Sequence, residues 1–590
     1  MYLDYKQNGV KLLLVGVALI GMLSCVMGQN GSNDPGAEPF NNTTPTWEET
    51  LSVFQELASM HEKASLIPIG LSDVGRPIHA FILSDKSPEI QSLANLRSQR
   101  DGAEEKLGLL VNNAIHPGEP CGVDASIEWV RRLFSNPVEL RNLLEIMDVA
   151  IIPMYNVGGA LNRNCCTRTN QDGPESYGFR GNARNLDLNR DFIKMDSQNA
   201  RAFTALFHAF RPQVFIDTHT TNGADYPYAM TLISTQPDKA GPVLGPFIQQ
   251  VMEPFLFREM SQKNVLMAPY VYSKGETPDD GILGFLETPR YSTGYTALFG
   301  CVGFTAEAHM LKPFPVRVAA TLALIESVVN CMRENEESIL NAHQAEQMRI
   351  QTMDAAPVRW ELSERTTPLP FSGYKARREV SVITGDLRLK YDRDSIWHDT
   401  IPFYNHYDVA HESVVPEAFI ISQAWKEVIE RLQWNEVEMQ RIPQDTTLDL
   451  RVAYIEGFSS SPRPYEGHHL NTFDSLRWAI EPIRLYAGDY VIKTAQSRRR
   501  YLMETLDPHA HDAFFTWNFF DSAMQQKEHY SAYVFEETAA ELLRNDAELK
   551  RAFEAARNAN PNLAELNWLY KASKHFEGTV NRYPVYQTFE

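Results

Sequence analysis

At 590 residues the chain exceeds one ordinary domain, and 43% hydrophobic with 22% charged residues is the balance of a folded protein, which excludes a disordered chain. A formal net charge of −20 repels phosphate backbones and anionic headgroups and argues against nucleic acid as a partner; the triplet Arg498-Arg499-Arg500 reads as a solvated face. Six cysteines are too few for a disulfide scaffold: the adjacent Cys165 and Cys166 are not expected to bond each other, and the scattered Cys121, Cys301 and Cys331 read as small buried thiols.

In chain order, Lys6 and Lys11 precede an apolar run over 12–27, and polar residues begin at Gln29. That is the pattern of a secretory signal over 1–28, with a core too short for a confident membrane span. Met22-Leu23-Ser24-Cys25 also resembles a degraded lipobox, in which Cys25 carries a lipid anchor; cleavage after Gly28 is the alternative. Either way the chain is expected to be exported, to the periplasm, the medium or the face of a bacterial envelope, and Cys25 is its sole expected tie to a membrane. Residues 29–45, rich in Gly, Asn, Pro and Thr, read as a linker, with folded structure from about Trp47.

From there to about residue 350, strand-like runs at 108–115, 149–154 and 213–217 alternate with helix-like stretches at 124–134 and 197–210, and 316–350 reads as one long amphipathic segment. The alternation predicts an α/β sheet covered by helices. After Asp354 the texture changes: 358–362, 381–383 and 448–455 read as strands, 535–544 and 547–557 as helices. A boundary is placed at 346–356, dividing a unit at 46–350 from an accessory region at 357–590, strands followed by helices.

The chemistry concentrates in the first unit. His116 and Glu119 stand three residues apart just past a strand end, in Asn112-Asn113-Ala114-Ile115-His116-Pro117-Gly118-Glu119-Pro120, so that an imidazole and a carboxylate can reach one ion. Such ligands suit Zn²⁺, whose catalytic sites keep three protein ligands and a water. Alone, H-x-x-E is weak. His219 supplies a third ligand at the end of another apolar strand, where α/β sheets put their sites, with Asp217 available as its hydrogen-bonding partner. Glu307 is a lone carboxylate inside the apolar run 302–309, an expensive placement without a function. No H-E-x-x-H run, G-x-S-x-G elbow or P-loop competes.

Between these lies Arg180-Gly181-Asn182-Ala183-Arg184-Asn185-Leu186-Asp187-Leu188-Asn189-Arg190, and with it residues 50–345 resemble the M14 zinc carboxypeptidases, of the secreted bacterial type. The resemblance rests on order: H-x-x-E, a basic residue ahead of D-L-N-R, a strand-end His, then a late Glu. It implies a mixed sheet covered by helices, one Zn²⁺ on His116, Glu119 and His219, and a peptide substrate with a free C-terminal carboxylate. It further implies Glu307 as general base, Arg180 as the group meeting the oxyanion, with Arg168 and Arg184 as rivals, and Asn189 with Arg190 on the substrate carboxylate. A mobile Tyr is expected upstream of Glu307; of Tyr291 and Tyr295 the reading favours Tyr295. Gly118 stands where digestive members carry an Arg. A same-fold amidase, deacylase or cell-wall peptide hydrolase, and a surface protein that only binds, are the competing functions. In the second half, His468-His469 and His509 with His511 read as loop residues, and Trp425, Trp434, Trp478 and Trp517 as core.

Overall fold

Apolar runs too continuous for a sheet with one wet face form the centre of the molecule. The structure, a computed structural model, describes residues 40–101 and 106–589; the expected export signal, Cys25 and the linker up to residue 39 lie outside them. Strands β1 (Ala64–Leu71), β2 (Pro77–Leu83), β3 (Leu107–Asn112), β4 (Met147–Ile152), β5 (Val214–Thr220), β6 (Met230–Ser234), β7 (Met267–Pro269) and β8 (Val302–Ala308) make one sheet in the order β1-β2-β4-β3-β5-β8-β6-β7. It is mixed: β4, β3, β5 and β8 run parallel, while β1 pairs β2, β2 pairs β4 and β8 pairs β6 antiparallel.

Helices cover both faces. Leu109, Val111, Val149, Ile151 and Ile216 pack against helices α1 (Trp47–Met60), α2 (Cys121–Ser135) and α4 (Phe314–Glu334). Helix α1 starts where Thr46 and Glu49 form a capping box. Gly122 lets α2 lie close on β5, since a Cβ there would meet Thr218 Oγ1 at 2.0 Å. On the opposite face Leu110, Ala150 and Phe215 pack against helix α3 (Gln198–Phe210), capped by Ser197, and this core continues into Phe419, Tyr501 and Trp517 of the second half. Trp425, Trp434 and Trp478 pack against the same core.

Four expectations are corrected. The segment 316–350 is two helices, α4 and α5 (Glu336–Thr352), because the chain leaves helical geometry at Asn335. Residues 381–383 are a turn between the paired strands Thr367–Val380 and Leu387–Tyr404; the Ser381 hydroxyl accepts from the backbone of Ile383 and Thr384, and Val382 is 96% exposed. Arg498, Arg499 and Arg500 are no solvated face: Arg500 is buried, paired with Glu504 and bonded to the carbonyls of Lys239 and Ala297, while Arg498 pairs with Glu436. Cys165 and Cys166 form a disulfide, in a bend where Asn164 Oδ1 accepts from the backbone of Cys166 and Thr167. Cys121, Cys301 and Cys331 are free and buried.

The second half adds a six-stranded sheet that contains the long pair β9 (Thr446–Ser460) and β10 (Asn471–Leu485). Helices Ala532–Asn545 and Ala547–Ala559 follow.

Candidate active site

The carboxyl ends of three adjacent parallel strands deliver the site. After β3, Ala114 turns the chain with a left-handed φ of 55°, a conformation that costs a non-glycine residue about 1–3 kcal/mol and persists only when its surroundings enforce it. The next turn closes by Glu119 N–H donating to the His116 carbonyl, which puts both side chains on one side. Strand β5 brings His219, and its neighbour β8 sets Glu307 directly across from it.

His116 Nδ1 and His219 Nδ1 each lie 3.2 Å from Glu119 Oε2, and His116 Nδ1, though buried, has no hydrogen bond. Ligand bonds of about 2.0–2.2 Å in tetrahedral array would separate donor atoms by about 3.3–3.6 Å, close to what is found. The outer nitrogens are held from behind: His116 Nε2 donates to Asp187 Oδ1 at 2.8 Å, and His219 Nε2 faces Asp217 Oδ2 at 3.0 Å. Carboxylates in that position fix ring orientation and raise ligand basicity. Buried imidazoles and a carboxylate converging with one donor unsatisfied fit a divalent metal, and among the described residues this is the one such group.

Charge around the group is strongly organised. Burial would raise Glu119, but Arg168, whose Nη1 is 2.8 Å from Oε1, and His116 hold it well below the usual carboxylate range. Burial would likewise raise Asp187, which His116 and Arg180 keep well down; Arg180 Nη2 lies 2.8 Å from Asp187 Oδ2 and its Nη1 3.5 Å from Glu119. Glu307 goes the other way: desolvation, opposed by His219 and reinforced by Glu119, pushes it up to about 7. His116, Glu119, Arg168, Arg180, His219 and Glu307 line a cleft of about 540 Å³ that also takes in Asn189, Arg190, Tyr270, Phe285, Glu287 and Tyr291.

The zinc carboxypeptidase family model matches residues 50–283, the stretch holding His116, Glu119, Arg180, Asn189, Arg190 and His219, with Glu307 beyond its end. This chain carries an M14 zinc carboxypeptidase domain. The enzyme is a metallocarboxypeptidase, a hydrolase of peptides. It is similar to Carboxypeptidase 2 of Trichophyton equinum, 23% identical over 540 residues that cover 87% of this chain and 92% of the relative. Carboxypeptidase 2 of Trichophyton rubrum is 23% identical over 494 residues, 80% of this chain and 83% of the relative. Among solved structures, a metallo-carboxypeptidase from Burkholderia cenocepacia aligns at 18% identity and a TM-score of 0.36, covering 48% of this chain and 69% of that one.

The peptidase cleft gathers all the sequence-chosen residues but one. Tyr295 is fully buried, its hydroxyl donating to Asn435 Oδ1 at 2.7 Å within an aromatic cluster; it is Tyr291 whose ring lies under Arg190, 4.3 Å from the guanidinium carbon. A phenol satisfied that far inside has no route to the cleft. Of the rivals to Arg180, Arg168 reaches Glu119, whereas Arg184 turns away to the Asp196 carbonyl. Gly118 makes room for Arg168, whose Cδ would lie 2.6 Å from a Cβ there, so a cation does stand beside H-x-x-E, delivered from another loop. Sequence reasoning also missed Glu287, buried against the Thr305 hydroxyl at 3.2 Å and pushed by burial to about 8, for which no local pattern gives a signal. His468 bonds Asp196 and Asn518, His469 the Ser461 carbonyl, His509 Asp507, and His511 the backbone of Trp360.

Proposed function

We propose that this enzyme removes the C-terminal residue of peptides that present a free carboxylate to Asn189 and Arg190, using zinc on His116, Glu119 and His219 with Glu307 as general base. The observation that carries the reading is the convergence of both imidazole Nδ1 atoms on Glu119 Oε2, with Glu307 across the strand pair from His219. Nitrogen and oxygen donors in a three-residue set suit zinc, which when bound supplies a Lewis acid for the scissile carbonyl and an acidified water. A carboxyl lifted to about 7 is poised near neutrality both to accept a proton from the attacking water and to return it to the leaving amine. The half-exposed guanidinium of Arg180 in the cleft lining supports it as the group that meets the developing oxyanion. The Arg190 fork suits a planar carboxylate, and Asn189 beside it fixes the register.

Glu307→Gln tests the assignment: hydrolysis of a peptide with a free C-terminus falls by about 10²–10⁴-fold while bound zinc, read by atomic absorption, stays stoichiometric. An unchanged rate, or loss of zinc with the rate, would overturn the role. We further propose export, supported by Lys6, Lys11 and the apolar run at 12–27, followed either by lipid attachment at Cys25 or by cleavage after Gly28. Fractionation of cells expressing the full chain and its Cys25→Ser variant separates the two: a membrane-bound parent with a released variant marks the lipid anchor, release of both marks cleavage after Gly28, and retention of both in the cytoplasm overturns export.

A further inference from the structure

The turn that joins β9 to β10 belongs to the second half of the chain, yet its tip reaches the D-L-N-R segment. Tyr465 and His468 exchange backbone hydrogen bonds at 2.7 and 3.0 Å across Glu466 and Gly467, whose φ values of 49° and 84° make the two-residue loop that suits a twisted hairpin. Three contacts dock it. Glu466 Oε2 accepts from the Asp187 backbone N–H at 2.7 Å, His468 Nε2 meets Asp196 Oδ2 at 2.7 Å, and the Tyr465 ring stacks on the fully buried Trp517. Trp517 is itself flanked by Arg290, which is clamped by Asp512 at 2.6 Å.

So anchored, the Tyr465 hydroxyl accepts from Arg190 Nε at 3.0 Å, and the Asn189 carbonyl accepts from Arg190 Nη1 at 2.7 Å. With the ring of Tyr291 beneath, the guanidinium is fixed at its stem side and in its plane. Nη2 and the second Nη1 hydrogen are what remain for an incoming carboxylate. A guanidinium held in one orientation loses less freedom on binding than one that must be ordered by its ligand.

We infer that Tyr465, presented by the hairpin tip of the C-terminal half, is a positioning residue for Arg190, so that the substrate-carboxylate site is complete only when both halves of the chain are in place. The inference rests on the reading of Arg190 as the carboxylate-binding group. It makes the second half a structural part of the peptidase site.

Steady-state kinetics of the full-length zinc enzyme on a peptide with a free C-terminus test it, with Tyr465→Phe, Arg190→Gln and the double variant. Phenylalanine keeps the stack on Trp517 and removes only the hydroxyl. The expected result is a KM raised about tenfold for Tyr465→Phe, as for a lost hydrogen bond to a charged group, with kcat within twofold and an unchanged melting temperature. On the Arg190→Gln background the same substitution should cost nothing further. An unchanged KM for Tyr465→Phe, or an equal loss on both backgrounds, overturns the positioning role. If Arg190→Gln itself leaves KM unchanged, the carboxylate-binding reading of Arg190 has failed and Tyr465 has nothing to position.

Discussion

Tyr291 and Tyr295 stand four residues apart around one short helical turn, yet one ring lies under Arg190 and the other packs among Phe192, Phe203, Phe207 and Phe299. The Tyr295 hydroxyl sits within 3.3 Å of Thr204 Oγ1 and donates to Asn435 Oδ1, a residue of the second half. Removing that donor leaves the buried amide oxygen with His208 Nε2 alone, at 3.4 Å, so Tyr295→Phe should cost about 0.5–1.5 kcal/mol of unfolding free energy and leave kcat/KM unchanged. Urea denaturation beside a peptide hydrolysis assay separates the outcomes: a loss of activity at full stability would return Tyr295 to the cleft. The local sequence around the two residues is nearly symmetrical, and only tertiary packing distinguishes them. His116, Glu119, His219 and Glu307 were legible because each lies at or near the end of an apolar run, and parallel strands gather such ends at one edge. Glu287 and Tyr465 belong to no motif. Glu287 comes to the cleft, and Tyr465 to Arg190 at its side, by loops whose paths no spacing rule describes.

The elements that carry those ends follow from apolar runs, as in Leu107–Asn112, Met147–Ile152 and the Val214-Phe215-Ile216 start of Val214–Thr220; every residue of the three strands is buried. Helices α2 and α3 announce themselves by periodicity, and Ser197 caps the second of them in the expected way, accepting from Ala200 N–H. Sequence pattern and structure part where the physical cue is weak. Asn335 divides α4 from α5 without a Pro or Gly; its φ of −123° ends the helix, and its side-chain amide donates to the Cys331 carbonyl at 2.9 Å beside its own backbone N–H at 3.1 Å. At 381–383 two β-branched residues mimic a strand, but Gly385 with φ of 79° and the Ser381 hydroxyl close a turn there. Turn chemistry outweighed β propensity in so short a stretch. The approach of α2 to β5 through Gly122 also shapes the site, because it draws the start of that helix, and Glu119 just before it, onto the strand that bears His219.

Across the whole molecule, the change of texture after Asp354 falls where α5 ends and the strand Ala355–Leu362 begins, while buried side chains from both sides of it share one core. Continuity of that kind is invisible in sequence, since an apolar position does not say which neighbour covers it. Asp196 is a junction between the two halves: Lys194 Nζ at 2.7 Å comes from the first, Arg431 Nη2 at 2.9 Å and His468 Nε2 at 2.7 Å from the second. Burial works to raise Asp196, but His468 and Lys194 hold it well below its ordinary range; burial works to lower His468, but Asp196 lifts it above its own. The two signs define a window. A depressed carboxylate contributes stability in full above its unfolded pKa, about 3.9, and loses it as pH falls through the folded value; a raised imidazole contributes in full below about 6.5 and loses it as pH rises through the folded value. The junction should therefore tie the halves together most strongly between about pH 4 and 6.5, with the alkaline loss due to His468. Urea midpoints at pH 5, 6.5 and 8 are expected to fall over the last interval in the parent and to fall less in His468→Gln, whose amide keeps a hydrogen bond to Asp196 without the charge. Parallel pH profiles for the two proteins would show that the imidazolium contributes nothing to holding the hairpin on the D-L-N-R segment.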